Sequence, residues 1–68
     1  MDEKCKTILE QISLLNTATL SPESMTKLNM IKQYLSAGGL DTALSTVLSA
    51  KAGDPFFVEV EKIFYKYN

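Results

Sequence analysis

The residue best placed for covalent chemistry is Cys5, flanked by Lys4 and Lys6 near the start of a candidate helix. Neighbouring cations and a helix N-terminus both lower a thiol's pKa, and the thiolate is the nucleophile. A partner base is missing, because the chain has no histidine. Cys5 also lies in register with Ile8, Leu9 and Ile12, which gives it the role of a small buried hydrophobe. Acid–base work would otherwise fall to carboxylates with shifted pKa values. The candidate pairs, Asp2/Glu3 and Glu59/Glu61, are too close in sequence to share one helix face. They read as solvated charges or as partners of helix N-termini. Gly38-Gly39 ahead of a helix hints at an anion site. It lacks the further glycines, the Lys-Ser/Thr pair and the preceding strand of a phosphate loop. It reads as an inter-helix turn. No catalytic residue is expected, and the chain is read as a non-enzyme.

Composition narrows the remaining classes. One cysteine and no histidine leave too few ligands for a structural zinc site and exclude an internal disulfide. Seven cations, all lysine, against eight acids give a net charge of −1. That balance argues against a nucleic-acid footprint, and the absence of arginine removes bidentate phosphate recognition. Apolar runs are too short to span a bilayer, and the first residues lack the layout of a signal peptide. A cytoplasmic or nuclear setting is the expectation, with no cofactor and no metal.

What remains is surface. Tyr34, Phe57 and Tyr65 fall off the apolar stripes of their helices, as interface anchors do. With Met30 and the uncharged face Thr42, Ser45, Ser49, they form the expected partner-binding set: Met30, Tyr34, Thr42, Ser45, Ser49, Phe57 and Tyr65.

Four amphipathic helices would position these residues. The first runs from about Asp2 to Asn16, with Cys5, Ile8, Leu9, Ile12 and Leu15 at helical spacing. The second begins at Leu20-Ser21-Pro22-Glu23, where Ser21 is a cap and Pro22 suits the first helical position. Its stripe is Met25, Leu28, Ile31 and Leu35, and Ala37-Gly38-Gly39 ends it. A third, from about Leu40 to Lys51, carries Leu40, Ala43, Leu44, Val47 and Leu48 on one side. The fourth starts from the Asp54-Pro55 pair and directs Phe56, Val60, Ile63, Phe64 and Tyr67 inward. Short links between helices make antiparallel neighbours, hence one all-α, up-and-down bundle over residues 1–68.

The order of these elements resembles a known family. Ile8, Leu9, Ile12 and Leu15 lead to Leu20-Ser21-Pro22; Met25, Leu28, Ile31 and Leu35 follow; then come Asp41-Thr42-Ala43-Leu44 and an aromatic-rich last helix. This is similar to the helical domain shared by the steroid receptor RNA activator protein and the carboxy-terminal end of the large COPII outer-coat subunit. A second-step pre-mRNA splicing factor carries a related bundle. The likeness covers about Lys4 to Tyr65, although the family domain usually has a further helix. It implies a non-catalytic interaction domain, with vesicle-coat or scaffold assembly ahead of transcriptional coregulation. The alternatives are a self-associating subunit that completes its core as a homodimer, and an RNA-processing domain.

Overall fold

Each helix begins and ends where side-chain and glycine chemistry dictate. In the computed structural model, which describes residues 2–68, the helices are α1 (Glu3–Ser13), α2 (Pro22–Ser36), α3 (Leu40–Ala50) and α4 (Phe56–Tyr67). Asp2 caps α1 by accepting from the Lys4 N–H at 2.8 Å. Ser21 caps α2 by accepting from the Ser24 N–H at 3.1 Å, with Pro22 directly after it. Asp54 accepts from the Phe56 N–H at 3.0 Å, and Pro55 already has helical dihedrals. Regular α4 therefore starts one residue beyond its proline.

The link from α2 to α3 is shorter still. Gly39 N–H donates to the Tyr34 carbonyl at 2.8 Å and Gly38 N–H to that of Leu35 at 3.0 Å. This is the Schellman pair of bonds that satisfies the last free carbonyls of a helix. Gly38 sits at φ +80, a conformation that side chains resist. At Gly39 a Cβ would lie 3.3 Å from the Tyr34 carbonyl oxygen. The carbonyl of that same Gly39 accepts the N–H of Ala43, so one glycine closes α2 and opens α3.

The helices close a ring: α1 packs on α2 and α4, and α3 on α2 and α4. The starts of α2 and α4 meet directly, because Ser24 Oγ donates to Asp54 Oδ2 at 2.6 Å. Those two helices thus begin at the same end, as an up-and-down order requires. The radius of gyration, 10.7 Å, matches the ~11 Å of a compact domain of this length. Twelve apolar residues are buried: Cys5, Ile8 and Ile12 from α1; Leu28, Ile31 and Leu35 from α2; Ala43, Val47 and Ala50 from α3; Phe57, Val60 and Phe64 from α4. The core is filled from within one chain.

Three sequence expectations need correction. Phe57 was expected at the surface and is fully buried, while Phe56, Ile63 and Tyr67 are only half-buried. α4 must face α1 and α3 together, which turns its central line to Phe57, Val60 and Phe64. The Phe56 ring packs edge-on against Phe57 with centroids 5.4 Å apart. In α3 the inner line is Ala43, Val47 and Ala50, and Leu48 is 40% exposed. The small side chains of Ala43 and Ala50 fill the inner line with little volume, where larger leucines would have to be accommodated. Finally, α1 ends at Ser13, short of Asn16. Ser13 Oγ donates back to the Leu9 carbonyl at 2.9 Å, and the Leu14 and Leu15 N–H groups reach only three residues back.

These details make three stability predictions. Leu28→Ala removes a fully buried side chain and should cost about 2–5 kcal/mol. Ile63→Ala, from a half-buried position, should cost clearly less; equal losses by denaturant unfolding would contradict this core. Gly38→Ala forces a side chain into the left-handed region and should cost about 1–2 kcal/mol, again by denaturant unfolding. The Asp54 carboxyl is held below the ordinary aspartate range, first by the Ser24 hydroxyl and then by the Phe56 N–H. A lowered folded pKa contributes stability above the unfolded value of about 3.9, and that contribution is lost as pH falls through the lower folded value. Ser24→Ala should therefore lower the melting temperature at neutral pH and flatten its fall on acidification. An acid profile parallel to that of the parent chain would contradict the linkage.

Candidate functional site

An open concavity lies where α2 and α3 run side by side. Lys27 and Met30 from α2, with Thr42, Ser45, Thr46, Ser49 and Ala50 from α3, line an open groove of about 400 Å³. The reason is local. Ala43, Val47 and Ala50 take α3's inner line, so its hydroxyl residues are displaced to the shoulder facing α2. Ala50 forms part of the floor and Met30, 40% exposed, part of the wall. Thr46 Oγ1 is committed to its own helix, donating to the Thr42 carbonyl at 2.9 Å. Thr42, Ser45 and Ser49 are exposed and present hydroxyls to whatever enters. Lys27 is the single charged residue of the lining, paired to Glu23 at 3.5 Å through a carboxylate side chain that is 81% exposed. Such a pair is weak in water and easily exchanged.

Of the expected binding residues, Met30, Thr42, Ser45 and Ser49 come together in this groove. Phe57 lies in the core, where no partner reaches it. Tyr34 is half-buried and packs against the core. Tyr65, 58% exposed, belongs to a separate surface on α4. Its hydroxyl donates to Glu61 Oε2 at 3.0 Å, and Lys51 Nζ donates to Glu61 Oε1 at 2.9 Å. The Lys51 contact chiefly holds the Glu61 carboxyl below its usual range, and the bond to Glu61 holds the Tyr65 phenol above its own. This trio ties the end of α3 to α4. Sequence reasoning missed Lys27 and Thr46 in the groove; Lys27 sits three residues before Met30, and that spacing was the available signal.

Cys5 is fully buried, and burial, then the charge of Asp2, pushes its thiol up, away from the reactive thiolate. Among the described residues there is no group of three or more His, Cys, Asp or Glu side chains that could hold a metal ion, and no helix is long and apolar enough to cross a membrane. The comparisons add no relative: no family model, curated protein or solved structure matches the chain.

Proposed function

We propose that this chain is a non-catalytic protein–protein interaction module that takes a partner segment into the α2–α3 groove. One observation carries the reading: Met30, Thr42, Ser45 and Ser49, singled out from sequence as a binding surface, line one concavity. A groove between two helices is the shape that receives an amphipathic helix. Its apolar wall and floor, ringed by hydroxyls and one cation, suit a ligand with apolar anchors and a polar rim. The resemblance to the coat-subunit and RNA-activator helical domain supports a place in COPII-like vesicle-coat or scaffold assembly. A cytoplasmic setting accords with that role.

The test is a photo-crosslinking residue placed at Ser45, with Lys66 on α4 as the control position, in extracts of the cells that make the protein. The expected result is a discrete crosslinked product from position 45, identified by mass spectrometry and lost with Met30→Asp. The same products from position 66, or products from position 45 that survive Met30→Asp in a variant still folded by circular dichroism, would contradict it.

A further inference from the structure

A second concavity, of about 570 Å³, lies at the end of α1 and is lined by Leu9, Glu10, Gln11, Ser13 and Leu14. It is larger than the α2–α3 groove and shares no lining residue with it. Leu9 packs on the core, whereas Leu14 stands at the C-cap of α1 and is 77% exposed. The apolar part of the lining is these two leucines.

The charge at this place has one sign. Glu10 is the single charged residue of the lining. The ion pairs of the described chain leave it out, and Lys6, one turn earlier, does not reach it. The concavity also sits at the C-terminal end of α1, where unpaired carbonyls give a helix partial negative charge. A basic side chain in the last turn would offset that charge, and α1 has none there. A free carboxylate and a helix C-terminus therefore add, beside open aliphatic surface.

That combination matches one kind of side chain, an apolar stem that ends in a cation. We propose that the concavity at the end of α1 takes a lysine or arginine from a segment of a partner protein. The stem lies along Leu9 and Leu14, and the cation pairs with Glu10. Complementary charge of this kind steers the approach and fixes the orientation of the segment. The site is separate from the α2–α3 groove, so either can hold while the other fails.

The experiment is an NMR titration of the isotope-labelled full chain with a capped amphipathic peptide of leucine and arginine. Two counterparts carry glutamine or glutamate in place of the arginine. The expected result is saturable shifts centred on the amides of Leu9, Glu10 and Leu14 with the arginine peptide. Binding should weaken with added salt, weaken with the glutamine peptide and vanish with the glutamate peptide. Glu10→Gln, at an exposed position, should weaken the arginine peptide about two- to fivefold. Equal binding of the arginine and glutamine peptides, or affinity unchanged in Glu10→Gln, overturns the cation as ligand. Shifts centred on Met30 and Ser45, or no saturable shift with the arginine peptide, overturn the site. Shifts at Leu9 and Leu14 that grow with the chain's own concentration, without peptide, make a second copy the occupant and overturn the partner segment.

Discussion

The contact between Ser24 and Asp54 is the constraint on which the arrangement of the bundle turns. An apolar core tolerates rotation and sliding of its helices, because dispersion and burial have no direction. A hydroxyl donating to a carboxylate at 2.6 Å has both direction and length. Ser24 is the buried polar residue of the described chain, so moving either helix away would leave its hydroxyl without a partner. Asp54 is shared: one oxygen takes the Ser24 hydroxyl and the other the Phe56 N–H that starts α4. One carboxylate therefore begins a helix and docks it against the start of another.

The rest of the interior follows. With the starts of α2 and α4 held together, α3 returns between them and α1 closes the ring. α4 then turns Phe57 inward, and α3 turns Ala43, Val47 and Ala50 inward. With that line inward, the hydroxyl residues of α3 fall on its outer shoulder, and they wall the groove beside Met30. The surface proposed to bind is thus a by-product of how the core is packed. At the far side, the Lys51–Glu61–Tyr65 trio fastens α3 to α4 without entering the groove.

Much of this could be read from the residues, and the failures are physical. The four helices, their serine and aspartate caps, and the glycine turn were legible because each depends on bonds within a few residues. The stripes of α1 and α2 were legible because large apolar side chains dominate them. In α3, Ala50 escaped notice while Leu48 drew it, since side-chain size is a poor guide where close approach matters. For α4, strong apolar residues occur all around the first turn, and only contact with two neighbours chooses Phe57 over Phe56. Ser24 could not be recognised as a partner of Asp54, thirty positions away. Leu14 took no part in the sequence reading, and its exposure depends on where α1 stops. The groove was half visible, as Met30 and a run of hydroxyls, while Lys27, Thr46 and Ala50 of its lining were not singled out.

The central claim is that Ser24 and Asp54 act as one unit in setting the bundle. It is tested most directly by a double-mutant cycle on unfolding, with Ser24→Ala, Asp54→Ala and the pair measured by urea denaturation at neutral pH. The account predicts strong non-additivity: each single change destabilises, and the pair loses little more than Asp54→Ala alone. Additive losses would contradict it, showing that the two residues contribute separately and that packing alone places α4.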